Sequence, residues 1–399
     1  MIRDIKVAWL CPYPLSKIER IPVAYRKRTE HPSTWIVTLA DELSKVKDVE
    51  LHIVSEFTNI SKSFDCIQNN IHFHCLRSAL AIPFLCRGYA GMIPYDAFSQ
   101  FKKSRHNLRK KISEISPDIV HAHGTEGPNG IVAVESNYPH IISLQGIVTK
   151  LVEINPNYRY RKIALLEKEV LRRGKNFIAK TAFAKEIIRK YNPEAAVFHI
   201  DNIVHPSFFK VARNGRLEKN IVYAGAISPD KGVKELINAF GKISPEYPDY
   251  FLTLIGGGSE KYLQHLKNFA ESLKVDGRIR WLGFQTHTQI AETFRKAAVL
   301  TFPSKMDTSP NVVAEAMVSG LPVIATSVGG IPDMIKHRET GYLINQPTAP
   351  LIYEALKKVL SDVEFCHNIG KNGQDEARIR FSREANLDKI IKAYRSILF

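Results

Sequence analysis

The sequence predicts an α/β protein made of two doubly wound halves, each a parallel sheet covered by helices. Three observations carry that expectation. Short apolar runs alternate with amphipathic stretches twice along the chain, as buried parallel strands alternate with crossover helices. The length, 399 residues, exceeds what one core holds and suits two domains. Apolar residues make up 44% and charged residues 24%, the balance of a folded globular chain.

"IKVAWLC" (5–11) opens the first half as a short apolar run suited to a buried strand. In "STWIVTLADELSK" (33–45), Trp35, Leu39 and Leu43 recur at helical spacing after a Ser/Thr start. "VELHIVS" (49–55), "IHFHCL" (71–76), "DIVHAH" (118–123) and "HIISLQG" (140–146) read as further strands. "FSQFKKSRHNLRKKISEIS" (98–116) and the basic stretch ending at Arg173 read as helices, and "NFIAKT" (176–181) and "AVFHIDN" (196–202) complete the half. The proline of "NIVHPSFFK" (202–210) and the polar "RNGRLEK" (213–219) break the pattern. A first domain over 1–203, completed by a terminal helix at 383–399, and a second over 204–382 are therefore expected.

The second half restarts with strand "NIVYAGAI" (220–227) and helix "KGVKELINAFGKI" (231–243). Strand "YFLTLIG" (250–256), helix "EKYLQHLKNFAESL" (260–273), strand "IRWLGF" (279–284), helix "QIAETFRKA" (289–297) and strand "VLTFPS" (299–304) follow. A helix after Pro310, strands at 322–326 and 341–345, a helix at 351–362 and an amphipathic stretch at 383–398 end the chain. Ligands of such sheets sit at the carboxyl ends of the strands.

The net charge of +16 is uneven: residues 1–200 hold 30 Lys/Arg against 19 Asp/Glu, and residues 201–399 hold 26 against 21. "FKKSRHNLRKK" (101–111) carries six basic residues and no acid. Solvated helix faces explain such runs. So would an anionic membrane surface, a phosphorylated acceptor or nucleic acid. No zinc-finger spacing and no aromatic RNA-binding strand motif supports nucleic acid, so none is expected as a partner. No uncharged apolar stretch reaches 18 residues, and "MIRDIKVAWLCPYP" reads as a strand rather than a secretory signal. Five cysteines without a C-x-x-C pair fit a reduced, cytoplasmic chain, peripheral at the inner membrane face if the basic stretches meet lipid.

"SKMDTSPNVVAEAM" (304–317) places Asp307 and Glu315 eight positions apart with Pro310 between them. The residue before a proline is pushed out of the α region. Asp307 should thus lie in a loop, with Glu315 on the first turn and a half of a helix starting near Pro310. In "VYAGAISPDKGVKELI" (222–237) a strand, a glycine turn and Lys231 meet a helix start, which suits a diphosphate. An ordinary strand-turn-helix with a surface lysine reads the same way. "IGGGSEKYL" (255–263) lacks the G-x-G-x-x-G spacing and reads as a tight turn, and "SVGGIP" (327–332) as a glycine turn that lets backbone approach a ligand. In "HAHG" (121–124), His121 and His123 share a strand face; a metal there would need a third ligand that nothing nearby supplies. His72 and His74 alternate on a strand and read as structural.

In this order, "YAGAISPDKGVKELINAF" (223–240), "WLGF" (281–284), "FPSKMDTSPNVVAEAMVSGLPVIATSVGGIPDMI" (302–335) and "TGYLI" (340–344) resemble the nucleotide-sugar-binding domain of retaining glycosyltransferases of family 4. "DIVHAHG" (118–124) and "HIDNIVHPSFF" (199–209) extend the resemblance into the first half. The resemblance implies the GT-B fold, with two Rossmann-like domains facing a cleft. It implies a nucleotide-diphosphate sugar as co-substrate, no cofactor and no metal, and a saccharide or lipid-linked acceptor, as in cell-surface polysaccharide synthesis. By resemblance, Asp307 stands for the first acid of an E-x7-E signature and accepts from sugar hydroxyls, while Glu315 accepts from the ribose. Lys231 meets the diphosphate, His123 the sugar near the reacting carbon, and Gly225, Asn311 and Val312 line the donor.

Three departures accompany the resemblance. The first acid is shortened to Asp307, and Ala226 stands where the family has an arginine. "RKRTEHPSTW" (26–35) replaces a Gly–Gly turn. Lys305 is expected to supply part of the missing charge. The departures also motivate the rival reading, a non-catalytic sugar-nucleotide-binding partner subunit. A chain whose charge rather than pocket is its function, and a GT-B phosphorylase, are further alternatives.

Overall fold

The computed structural model describes residues 4–19, 21, 34–58, 60–78, 82–86, 89–93, 99–213 and 218–399. The stretch 26–33, where the Gly–Gly turn was sought, and residues 214–217 of the expected break lie outside the described residues. The chain forms two compact units: residues 1–201 with 386–399, and residues 202–385.

In the first unit, the described residues form ten strands. They are β1 (Ile5–Leu10), β2 (Val49–Phe57), β3 (Phe64–Gln68), β4 (Ile71–Arg77), β5 (Ile82–Cys86), β6 (Tyr89–Ile93), β7 (Ile119–His123), β8 (His140–Ser143), β9 (Asn176–Ala179) and β10 (Ala196–His199). β5 and β6 make a separate antiparallel pair. The other eight order as β10-β9-β8-β7-β1-β2-β4-β3. All neighbours are parallel except β3, which runs antiparallel to β4. β3 was not foreseen: its alternating half-buried pattern is that of an edge strand, not of the buried apolar runs used to find the others.

The chain leaves β1 for β2 on one side and returns to β7 on the other, so the C-terminal ends of β1 and β7 form the switch point of this sheet. Most of the helix Arg383–Leu398 belongs to this unit, which takes in residues 386–399, and its buried Tyr394 accepts from Trp9 Nε1 of β1 at 3.0 Å.

The second unit holds a six-stranded, all-parallel sheet. Its strands are β11 (Asn220–Ala224), β12 (Phe251–Ile255), β13 (Ile279–Gly283), β14 (Val299–Phe302), β15 (Val323–Thr326) and β16 (Tyr342–Ile344), ordered β13-β12-β11-β14-β15-β16. Every residue of β11, β14 and β15 is buried, as strands covered on both faces require. The helix Val233–Ile243 buries Val233, Leu236, Ile237 and Phe240 against this sheet's core. The 18-residue helix Val363–Arg380 was not foreseen, because Gly370 and Gly373 interrupt its helical pattern. Here the switch point lies between β11 and β14, whose following loops carry the residues discussed next.

Among the described residues no helix is long and apolar enough to cross a membrane. Cys11 and Cys366 are free thiols.

Candidate functional site

Two loops leave the switch point of the second sheet side by side. After β11 the chain passes half-buried Gly225 and exposed Ala226 into a short 3-10 turn, Pro229–Lys231, and then Gly232. After β14 it runs through Pro303–Ser309 to Pro310, which caps the helix Asn311–Val318. The helix thus starts where the proline rule placed it, with Asp307 in the loop and Glu315 one turn in.

Backbone bonds lock the two loops to each other and to the turn after β15. Lys305 N–H donates to Asp230 O at 2.8 Å, and Gly330 N–H donates to Asp307 O at 3.0 Å. Gly232 takes φ +69°, and a Cβ there would run into the Pro303 carbonyl oxygen. Gly329 takes φ +55°, and a Cβ there would run into the Asp307 carbonyl oxygen. The glycine turn at 327–332, read as a place for backbone to approach a ligand, therefore approaches the acid loop itself.

Within this frame Lys231 Nζ donates to Asp307 Oδ2 at 2.8 Å and also lies 3.5 Å from Met306 O, with both side chains about one-fifth exposed. Lys305 Nζ pairs with Glu235 of the neighbouring helix at 2.8 Å. The second carboxylate oxygen of Glu235 is buried without a hydrogen-bond partner. Glu235 was missed in the sequence because it reads as an ordinary helix-start acid. Asn311 Oδ1 accepts from Asn202 Nδ2 at 2.8 Å, and Val312 packs against the core.

Glu315 is buried, and burial pushes its carboxyl up to about 7. Tyr223, at the end of β11, donates its hydroxyl to Ala226 O at 2.6 Å. Burial drives its pKa far up, and the nearby Asp307 and Asp230 charges add to the shift. The site is thus one ammonium held by one carboxylate, a second carboxyl buried on the following helix, and a backbone frame around them.

His123 belongs to the first unit, at the end of β7. Its ring stacks on His121 at 3.9 Å, with Trp9 at 4.5 Å and Trp35 at 5.5 Å between ring centroids. Both its ring nitrogens are buried without a hydrogen-bond partner. Burial, His121 and Lys180 hold its pKa well below the ordinary value, so the ring is neutral. His121, by contrast, is a satisfied core histidine. Its Nδ1 meets Tyr394 Oη at 2.6 Å and its Nε2 meets Ser143 Oγ at 2.7 Å. Burial lowers its pKa to about 3.

Family models divide the chain between them. Glycosyltransferase Family 4 matches residues 33–208, and Glycosyl transferases group 1 matches residues 206–376, the part that holds Lys231, Asp307 and Glu315. The chain belongs to the group 1, family 4 glycosyltransferases.

Over 184 residues it is 31% identical to the N-acetyl-alpha-D-glucosaminyl L-malate synthase of Bacillus anthracis, covering 46% of this chain and 45% of that one. It is 30% identical over 184 residues to the D-inositol 3-phosphate glycosyltransferase of Corynebacterium glutamicum, covering 45% and 44%. The match spans about half the length of these curated relatives.

Among solved structures, sucrose-phosphate synthase from Thermosynechococcus elongatus superposes with a TM-score of 0.76, at 16% identity and 99% coverage of both chains. Anabaena HepE, solved with UDP and glucose, superposes with a TM-score of 0.70 at 16% identity, covering 98% of this glycosyltransferase and all of HepE. At these identities the likeness establishes the fold, which is GT-B.

Proposed function

We propose that this glycosyltransferase moves a sugar from a nucleotide-diphosphate sugar to a saccharide or lipid-linked acceptor, retaining the anomeric configuration. The observation that carries the reading is the Lys231–Asp307 pair at the switch point, with Glu315 on the helix that follows. Anabaena HepE, of the same fold, was solved with UDP-glucose, which supports a donor of this class.

On this reading Lys231 and the turn behind it neutralise the leaving diphosphate, without a metal. Asp307 positions Lys231 through one carboxylate oxygen and takes sugar hydroxyls on the other. Glu315 accepts from the two vicinal ribose hydroxyls, which suit a carboxylate. Gly225, Asn311, Val312 and Lys305 complete the donor-binding set. The neutral ring of His123, with both nitrogens unpartnered, is suited to bond a sugar hydroxyl near the reacting carbon. The bond from C1 to the diphosphate oxygen breaks, and the acceptor oxygen bonds C1 on the same face. The acceptor proton passes to the leaving phosphate oxygen, so no protein nucleophile is needed.

The helix Lys102–Ile115 exposes Lys102, Lys103, Arg109 and Lys110, which suits an anionic membrane surface that presents a lipid-linked acceptor. Such a chain would work in the cytoplasm, at the inner membrane face.

The test is a thermal-shift panel of UDP-, GDP-, ADP- and CMP-sugars on the wild-type chain and Glu315→Ala. It is followed by turnover without added metal, with the product's anomeric configuration read by NMR. Stabilisation by one nucleotide class, lost in the variant, supports the donor site. Binding without turnover on any acceptor would favour the non-catalytic partner subunit, which Ala226 and the engagement of Lys305 by Glu235 both motivate.

A further inference from the structure

The edge of the first sheet carries a row of imidazoles and carboxylates that the transfer reaction does not use. β2 and β4 pair in parallel with His52 opposite His72 and Val54 opposite His74, while β3 sets Asp65 opposite His74. Residues two apart on a strand share a face, and registered neighbours share it too. Glu50, His52, His72, His74 and Asp65 therefore all stand on one face.

Their contacts form a line. Asp65 Oδ1 lies 3.1 Å from His74 Nδ1, His74 Nε2 lies 3.0 Å from His52 Nδ1, and His52 Nε2 lies 2.9 Å from Glu50 Oε1. Two neutral imidazoles bring two ring hydrogens to these three facing pairs. The Asp65 contact lacks the alignment of a full hydrogen bond, but a lone pair on His74 Nδ1 would still face the carboxylate, which places the hydrogen on that nitrogen. Nε2 of His74 is then the acceptor for His52 Nδ1–H. This leaves the lone pair of His52 Nε2 pointed at the Glu50 carboxylate, two acceptors 2.9 Å apart. A proton on His52 Nε2 would resolve the conflict, and so would a metal ion; the third ligand decides for the metal.

A third ligand stands beside them. His72 stacks on His52 at 4.5 Å between ring centroids, and its Nε2 lies 4.0 Å from Glu50 Oε1. One ligand atom from each of Glu50, His52 and His72 lies within 4.8 Å of the others. A tetrahedral zinc with bonds of about 2.0–2.2 Å wants its ligand atoms about 3.4 Å apart. Binding would require the half-exposed His72 ring to turn inward from its stack on His52.

We infer that Glu50, His52 and His72 bind a zinc ion, with water as the fourth ligand, at the edge of the first sheet. Two imidazoles and one carboxylate are a borderline-soft donor set that favours zinc over magnesium or calcium. His74 and Asp65 form the outer shell, fixing the His52 tautomer as a carboxylate–imidazole relay does in metal sites. Lys6 Nζ, 3.9 Å from Glu50 Oε2, holds the other carboxylate oxygen. The ion ties β2 to β4 and takes no part in the transfer.

The test uses the full-length, tag-free chain, stripped with chelator and titrated with ZnCl2 by calorimetry, then with CoCl2 by absorption. One ion per chain is expected, with visible cobalt bands of four-coordinate strength and no near-ultraviolet thiolate band. His72→Gln, at a half-exposed position, keeps the fold by circular dichroism and loses binding at least 10-fold. Glu50→Gln does the same, and Asp65→Asn, which touches no metal, weakens it about 10-fold. The proposal is overturned if the wild-type chain takes up no ion saturably, if the His72→Gln and Glu50→Gln chains bind as tightly as wild type, or if a thiolate band shows that cysteines hold the ion.

Discussion

Lys231 Nζ and Asp307 Oδ2 lie 2.8 Å apart, on two loops that leave adjacent parallel strands and are 76 positions apart in the chain. The ion pair couples the residue that would meet the diphosphate to the one that would meet the sugar. Lys231→Ala should lower kcat about 10²- to 10³-fold, the usual loss of one preorganised charge at a leaving group. Asp307→Asn should cost kcat as well. In the double variant the effects should fall well short of additive, because each residue positions the other. Steady-state kinetics of the four chains checks this; additive losses would show that the contact plays no part.

Lys305 is engaged by Glu235, so it reaches a leaving phosphate only by exchanging that partner. If it supplies part of the charge missing at Ala226, Lys305→Ala should lower turnover more than 10-fold, while replacement of exposed Lys261 leaves turnover unchanged. Glu235→Gln should leave turnover equal or higher. An unchanged rate in Lys305→Ala would remove Lys305 from the donor set.

Burial of Glu315 puts stability and function in opposition. Its folded carboxyl titrates at about 7, against 4.5 for the ordinary value. Between those values the folded chain holds a proton that the unfolded chain has lost. Folding therefore weakens as pH rises from about 4.5 to 7, by on the order of 3 kcal/mol. Glu315→Gln should match wild type in urea at pH 5 and exceed it at pH 8, while binding the donor at least 10-fold more weakly. Donor affinity of the wild-type chain should fall as pH drops below about 7 and the carboxylate is protonated. A Glu315→Gln chain no more stable than wild type at pH 8 would contradict this.

Tyr394, from the last helix, accepts from Trp9 Nε1, so its own hydroxyl hydrogen goes to His121 Nδ1, and His121 Nε2–H goes to Ser143 Oγ. Tyr394→Phe would orphan a buried indole N–H and a buried imidazole nitrogen. A loss of about 2–4 kcal/mol is expected. Urea unfolding followed by tryptophan fluorescence should show it as an earlier transition of the first unit.

Much of the architecture was legible because parallel strands buried on both faces must be apolar along their length. "NIVYA" and "VLTF" could hardly be anything else. The proline rule likewise placed Asp307 in a loop and Glu315 on a helix. β3 escaped notice because an edge strand is only half buried. The helix Ala182–Tyr191 was passed over although Thr181 caps it, its side chain accepting from Ala184 N–H.

What the sequence by itself determined is the order of strands and helices, the α/β class and the residue types at the two loops. Local propensity, burial period and proline stereochemistry act over a few neighbours, and they are written in the chain. What only the tertiary structure decided is which side chain meets which. Lys231 takes Asp307 while Lys305 takes Glu235, Gly329 closes on the acid loop, and Glu50, His52 and His72 converge from strands apart in sequence. Those pairings follow from strand order and register, which bring distant residues to within hydrogen-bonding reach, and no short-range rule contains them.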